Sequence, residues 1–365
     1  MIQRYLVLED GTVYAGLGYG GQKTLPMKVG EVVFNTAHSG YEEIATDPSY
    51  MNQIIVMTAP MMGNYGADKN VWESRQLWIQ GFVCLQLQDS ENNHSWAQRL
   101  VDHEVPILTS LDTRELVIKL RSQGTTWGTI VEASSEAEAK KTGLKNIINN
   151  KTSEKDWVWL ASRKQTEIRK GQNASGPRVA VLDFGAKENI LRELEARCSE
   201  IKIFSSRAEA KEILEWKPDG VMLTNGPGDP SEVQKAPETI KSLLGQLPVF
   251  GICMGHQVLS IALGAKTYKL KFGHRGANHP IKDAILNSIY MSSQNHGYAV
   301  DPASLPKNVQ VTQVNLNDNT VAGFFSESLN CLGIQYHPES RPGPHDATPL
   351  FDFFTTKMIK NKGRA

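Results

Sequence analysis

The sequence predicts an α/β protein in two domains: a β-rich α/β domain, then a domain with a mostly parallel, doubly wound sheet. Three observations carry this reading. From Arg178 onward, short apolar runs alternate with helix-compatible segments, the pattern of strands joined by crossover helices. Before about residue 145 the apolar runs are short and separated by turn residues, with few helical stretches. A chain of 365 residues also exceeds what one hydrophobic core usually serves. The expected bounds are 1–150 for the first domain, 151–177 for a linker and 178–365 for the second domain.

In the first domain, residues 5–14 read as two short strands about the turn Asp10-Gly11. Further strands are expected at 31–34, 53–58 and 81–87. Residues 92–101 and 111–122 have helical spacing. Gly16-Leu17-Gly18-Tyr19-Gly20-Gly21 fits G-x-G-x-x-G, but Gln22-Lys23-Thr24-Leu25-Pro26 cannot supply the helix that a dinucleotide fingerprint needs. A flexible loop is expected there. No G-x-x-x-x-G-K-[ST] occurs, so nothing in the chain visibly handles ATP. Residues 151–177 are rich in Lys, Ser, Gln and Gly and read as a linker, although Trp157-Val158-Trp159-Leu160 should pack on something.

In the second domain, strands are expected at 178–184, 201–204, 219–224 and 248–252, and helices at 187–197, 207–216 and 237–247. Ligands of such sheets bind outside the carboxyl ends of the strands. The last of these strands ends in Gly251-Ile252-Cys253-Met254-Gly255, with a helix-compatible stretch from Gln257 to Leu263. Gly-x-nucleophile-x-Gly between strand and helix is a nucleophile elbow: the turn is too sharp for bulky flanking residues, and it presents the side chain at the strand's end. The helix N-terminus behind the sulfur favours a thiolate.

A thiolate needs a base. His337-Pro338-Glu339 follows another apolar run, and two residues apart in extended chain puts His337 and Glu339 on one side. Glu339 would orient the imidazole while His337 faces Cys253. Cys84, Cys198 and Cys331 have no such setting and read as small buried hydrophobes. Asn225-Gly226-Pro227-Gly228-Asp229-Pro230 follows a strand, and its glycines permit close backbone approach to a ligand. Its N–H groups, with that of Met254, could stabilise a tetrahedral oxyanion. The bland alternative is an ordinary turn. His256, His274, His279 and His296 match no common zinc spacing and read as structural or hydrogen-bonding.

These segments resemble the class I (triad) glutamine amidotransferases: Phe250 to Gln257 matches the nucleophile segment, Asn225 to Pro230 the glycine-rich loop, and His337-Pro338-Glu339 the base and acid. The sequence is further similar to the small, glutaminase subunits of carbamoyl-phosphate synthetase. The likeness lies in Lys271 to Pro280, Ser293 to Tyr298, Gly30 to Thr36, Gly40 to Ile44 and Thr46 to Tyr50. The resemblance implies a triad of Cys253, His337 and Glu339. It implies glutamine contacts at Ser49, Gly226, Gly228, Met254, Gln257, Asn295, Gly297 and Tyr298, and, through Ser49, a pocket at the domain interface. Met254 stands where Leu is common, Tyr336 where a small residue is common, and Ser340-Arg341 where Ala-Ser is common.

By the same resemblance, the chain carries no cofactor of its own. ATP and Mg belong to a large synthetase subunit that captures the ammonia and makes carbamoyl phosphate for pyrimidine or arginine synthesis. The first domain would form much of that interface. Lys plus Arg and Asp plus Glu each number 39, with no basic stripe, which argues against nucleic acid. Four scattered cysteines suit a reducing compartment. No apolar run approaches the ~20 residues that span a bilayer, and the N-terminus lacks a signal-peptide core, so a cytoplasmic protein is expected. The rivals are an amidotransferase serving another synthetase, a free-standing cysteine peptidase on the same elbow, and a non-catalytic binding subunit.

Overall fold

The computed structural model describes residues 2–23, 25–90, 94–152 and 156–359. The chain forms two compact units, Met1–Ser153 and Glu154–Ala365. In the first unit, β1 (Ile2–Leu8) and β2 (Val13–Gly18) make the expected hairpin, with Gly11 at φ 83 in its turn. Then come β3 (Val29–Asn35), α1 (Tyr41–Thr46), β4 (Gln53–Met57), β5 (Met61–Met62), β6 (Gly81–Val83) and β7 (Gln86–Leu87). The unit continues with α2 (Trp96–Asp102), β8 (Ile107–Leu108), α3 (Thr113–Gln123), β9 (Thr126–Glu132) and α4 (Glu136–Asn150). Among the described residues the main sheet is ordered β2-β1-β9-β3-β4-β6-β8. Its β3, β4, β6 and β8 run parallel.

Two expectations need correction here. Gly16 to Gly18 is strand, not loop: it pairs with Arg4 to Ile2, and the space a side chain on Gly18 would fill is taken by the Arg4 guanidinium. The helix read over 92–101 is observed as Trp96–Asp102, positions 92 and 93 lying outside the described residues. The helix α4 went unread because its apolar face is sparse. Ala139 and Ile147 are buried, and Gly143 lets the helix approach Val7 of β1.

In the second unit the segment expected as a linker is structured. It holds α5 (Trp157–Ala161) and β10 (Glu167–Lys170), with 153–155 outside the described residues. Its polar composition misleads because the polar groups are spent on ion pairs. Arg163 donates to Asp183 from its backbone N at 2.9 Å and from Nη1 at 3.0 Å, and Nη2 reaches Glu188 at 2.7 Å. Arg169 bonds Glu188 and Glu195.

The unit then runs β11 (Arg178–Asp183), α6 (Glu188–Arg197), β12 (Glu200–Ser205), α7 (Ala210–Glu215), β13 (Gly220–Leu223), α8 (Ala236–Leu243), β14 (Val249–Ile252) and α9 (Met254–Ala262). The remaining elements are β15 (Thr267–Asp283), β16 (Ser288–Val300), β17 (Gln310–Asn315), β18 (Val321–Ser326), β19 (Cys331–Ile334) and α10 (Pro349–Asp352).

Among the described residues the sheet is ordered β10-β12-β11-β13-β14-β19-β18-β17-β15-β16. Strands β12, β11, β13, β14 and β19 are parallel; the flanking strands are antiparallel. Alternate residues of β11 feed opposite cores, as the two-residue period requires. Val179 and Val181 pack with Ile190 and Leu194 of α6, whereas Ala180 and Leu182 pack with Ile240 of α8 and Val258 of α9. Helices therefore cover both faces, and the carboxyl ends of β11, β13, β14 and β19 emerge side by side.

Candidate active site

Cys253 sits between β14 and α9 with φ 53 and ψ −104, a conformation that L residues avoid. Such strain costs about 1–3 kcal/mol. Burying the Val258 and Leu259 side chains of α9 offsets it, at about 1.5–3 kcal/mol each. The turn also needs a small residue after it. A side chain on Gly255 would have its Cβ 2.3 Å from the Leu223 carbonyl, and the Gly255 N–H donates to Thr224 O at 2.9 Å. Cys253 N–H donates to Ile334 O at 2.8 Å, which ties the elbow to β19.

β14 and β19 are neighbours in the sheet, so Cys253 and His337 leave adjacent strands at the same end. His337 Nδ1 is 2.7 Å from Glu339 Oε1. Its Nε2 is buried and, among the described residues, makes no hydrogen bond. The Cys253 sulfur acts on this imidazole electrostatically while pointing to the Asn295 carbonyl at 3.4 Å. Burial opposes the imidazolium, but the charges of Glu339 and Cys253 outweigh it and raise the His337 pKa to about 10. Burial likewise opposes the Glu339 carboxylate, yet Lys187 and His337 hold its pKa down at about 2. The pair is therefore imidazolium and carboxylate.

Lys187 was not among the residues singled out in the sequence. Its Nζ lies 3.0 Å from Glu339 Oε1 and also bonds the Ser340 carbonyl, with the side chain buried. Asn189 Nδ2 holds the Glu339 carbonyl. The turn Gly185-Ala186-Lys187 is shaped by Asp183, whose Oδ1 accepts the Gly185 and Ala186 N–H groups at 2.9 and 2.7 Å. One signal was present: Lys187 follows a strand's carboxyl end, the edge where such sheets bind ligands.

The loop after β13 approaches the same edge. A Cβ on Gly226 would lie 2.2 Å from the Phe184 carbonyl, so only glycine fits there, and Gly228 has φ 92. Asn225 Oδ1 accepts the Lys187 N–H at 3.0 Å and joins this loop to the Lys187 turn. Met254 is the first residue of α9, a position whose N–H has no acceptor within the helix. Gln257, one turn into α9, spends both amide hydrogens, on Tyr298 O at 2.8 Å and Gln335 Oε1 at 2.9 Å. Its side chain thus braces β16, the strand of Asn295, Gly297 and Tyr298, and has only its oxygen left over.

Ser49 belongs to the first unit. It is buried in a turn capped by Asp47, whose Oδ1 accepts the Ser49 N–H at 2.9 Å. His274, His279 and His296 cluster on β15 and β16, with centroids 5.1 and 4.9 Å apart. His274 bonds Asp318 at 2.8 Å and His296 bonds Tyr298 O at 2.7 Å. No group of three metal-binding side chains occurs among the described residues. Burial pulls His256 down to about 3, and its ring lies on Phe324. No helix among the described residues is long and apolar enough to cross a membrane.

Comparison with known proteins shows the family of this chain. Residues 180–357 match the family model "Glutamine amidotransferase class-I", so the second unit is a class-I glutamine amidotransferase domain. Residues 6–130 match "Carbamoyl-phosphate synthase small chain, CPSase domain". The chain is 46% identical to the carbamoyl phosphate synthase small chain of Symbiobacterium thermophilum, over 95% of this chain and 96% of that one. It is 41% identical to the small chain of Staphylococcus haemolyticus, over 99% and 97%. Identity to the chloroplastic small chain of Arabidopsis thaliana is 40%, over 98% and 86%. The chain belongs to the family of carbamoyl phosphate synthase small chains.

Proposed function

We propose that this chain is the glutaminase subunit of a carbamoyl-phosphate synthase, with Cys253, His337 and Glu339 as its triad. The observation that carries the reading is the strained Cys253 at the elbow beside a buried imidazole locked to a carboxylate at 2.7 Å. The Cys253 thiolate attacks the side-chain amide carbon of glutamine. The resulting oxyanion takes hydrogen bonds from the Met254 N–H and from the loop at Gly226 and Gly228. His337 gives its Nε2 proton to the departing nitrogen as the C–N bond breaks, releasing ammonia and leaving a γ-glutamyl thioester. Water then attacks the thioester carbon and His337 takes its proton. The C–S bond breaks, and glutamate leaves with the thiolate restored.

Glu339 keeps the imidazole oriented and Lys187 keeps Glu339 ionised. Gln257, Asn295, Gly297 and Tyr298 complete the glutamine pocket on the second unit, Gln257 chiefly by bracing β16. Ammonia is protonated in water and lost, so a partner must take it up. That partner is the large synthetase subunit, which binds ATP and Mg, uses bicarbonate, and supplies carbamoyl phosphate to pyrimidine or arginine synthesis in the cytoplasm. The test is glutamate release from glutamine by the purified chain and by Cys253→Ser, with and without the large subunit, ATP and bicarbonate. Release that disappears in Cys253→Ser and rises with the large subunit supports the reading. Absence of Cys253-dependent release in every condition overturns it.

A further inference from the structure

We propose that a buried cluster of Asp283, Tyr290 and Tyr336 positions His337, and that β16 acts as the ruler spacing base from nucleophile. The inference rests on the glutaminase reading for its kinetics but not for its geometry. Tyr336 directly precedes His337 and is fully buried. Its hydroxyl lies 2.7 Å from the Tyr290 hydroxyl and 3.3 Å from Asp283 Oδ2, with one hydrogen to share between them. Tyr290 donates to the same oxygen at 2.5 Å. Asp283 Oδ1 accepts the N–H groups of Ile285 and Leu286, at 2.7 and 3.0 Å, and Gln313 Nε2 at 3.1 Å. The carboxylate thus closes the turn between β15 and β16 and collects both tyrosines.

Three attachments fall along β16. Tyr290 receives Tyr336, the Ser293 carbonyl accepts the His337 N–H at 2.9 Å, and the Asn295 carbonyl faces the Cys253 sulfur at 3.4 Å. One continuous strand therefore meets the residue before the base, the base itself and the nucleophile. Losing the first attachment leaves the backbone of His337 held by one hydrogen bond to β16. Nothing in this cluster reaches the reacting atoms, so Tyr336, Tyr290 and Asp283 are positioning residues. The cost of burying Asp283 is met by its hydrogen bonds, and burial together with Asp283 pushes both phenols upward, keeping them neutral donors.

The test uses the full-length chain. Tyr336→Phe removes the hydroxyl and little volume. It is expected to lower kcat for glutamine about tenfold while KM stays within about twofold, the split expected when orientation rather than binding is lost. Tyr290→Phe leaves the Tyr336 hydroxyl with Asp283 and should have a smaller effect of the same kind. Ile201→Val, in the core strand β12, serves as a stability control. A second readout needs no glutamine: the rate at which iodoacetamide modifies Cys253 at a fixed pH should fall in Tyr336→Phe. If that rate falls while the wild-type chain itself does not hydrolyse glutamine, the positioning stands and the glutaminase reading fails. If Tyr336→Phe loses only as much thermal stability as Ile201→Val and keeps the wild-type kcat and modification rate, the proposal is overturned. A rise in KM that accounts for the whole loss in kcat/KM overturns it as well.

Discussion

Arg4 in the first unit and Lys187 in the second are both sealed from solvent, yet their partners differ in kind. Arg4 donates to Gln22 Oε1 at 2.5 Å, Gln22 O at 2.9 Å and Ile107 O at 3.2 Å, and its Nε faces Glu132 at 3.6 Å. Burial lowers its pKa, with Glu132 working against the fall. These contacts clamp the segment at Gln22 and strand β8 onto β1, and apart from Glu132 the acceptors are neutral. Lys187 instead meets a carboxylate, the carboxylate meets an imidazole, and the imidazole in turn interacts with Cys253. A buried charge held mainly by neutral acceptors fixes a fold. A buried charge that begins a chain of contacts leading to a strained cysteine would, under the proposed function, prepare a reaction.

Replacing the last two members of that chain of contacts should have the largest effect. Cys253→Ser and His337→Asn are each expected to cut glutamine hydrolysis by at least about a thousandfold, because nucleophile and base act as a unit. The double variant should be little worse than either single one. Steady-state glutamate release measures this, and additive losses would break the idea that the two form one device.

Lys187→Met is expected to cost about 3–5 kcal/mol of stability, since it leaves the Glu339 carboxylate buried without its cation. It should also lower kcat, by about ten- to a hundredfold if the imidazole loses its orientation. The pH dependence follows from the two shifts. Glu339 falls from 4.5 to about 2, so its contribution to stability is complete above 4.5 and is lost as pH falls through about 2. His337 rises from 6.5 to about 10, so its contribution is complete below 6.5 and is lost as pH rises through about 10. Lys187→Met removes the charge that most depresses Glu339, so acid unfolding should begin at a higher pH than in the wild type. Circular dichroism between pH 2 and 6 reads this directly, and an unchanged acid midpoint would sink the assigned role.

Arg4→Met sharpens the contrast from the other side. It strands several acceptors whose loss costs about 1–3 kcal/mol each. The melting temperature should drop clearly, while kcat for glutamine at a temperature where the chain is folded stays within about twofold. A kcat loss matching that of Lys187→Met would erase the distinction between the two cations.

Much of this contrast was legible in the sequence, for reasons that particular residues show. The elbow was readable because sterics alone dictate it: Gly255 faces the Leu223 carbonyl, and no other residue fits. His337 and Glu339 were readable as a pair, but the reason was wrong: they meet at 2.7 Å through a turn, closed by the Ser340 N–H on the His337 carbonyl at 3.2 Å, and not along extended chain. Strands β11, β13 and β14 were readable as apolar runs, since both of their faces are buried. Lys187 was not, because a lysine at a helix start is usually solvated, and only the folded turn at Asp183 shows where it points. The segment around Arg163 was misread because ion pairing and solvation call for the same residue types. Gly16 and Gly18 misled similarly: glycine usually signals a loop, but here Gly18 makes room for Arg4. The Tyr336 cluster joins β15, β16 and the segment after β19, and no local pattern encodes it.

The smallest effect is expected at the other three cysteines, and it tests what makes Cys253 different. Cys84, Cys198, Cys253 and Cys331 are all buried and free, so burial alone cannot explain reactivity. At Cys84, Cys198 and Cys331 burial pushes the thiol up to about 12. Each would be almost wholly protonated near neutral pH, and a protonated thiol is a poor nucleophile. Cys253 has what they lack: a helix N-terminus and a buried imidazolium. Iodoacetamide at pH 7.5 should therefore modify one thiol of the folded chain rapidly, and Cys253→Ser should abolish that phase. Cys198→Ala and Cys331→Ala should leave both the fast phase and glutamine hydrolysis unchanged, apart from a modest fall in stability. Rapid loss of a second thiol from the folded chain would mean that burial does not silence cysteines here. The difference between Cys253 and the others would then have to lie in access rather than in charge.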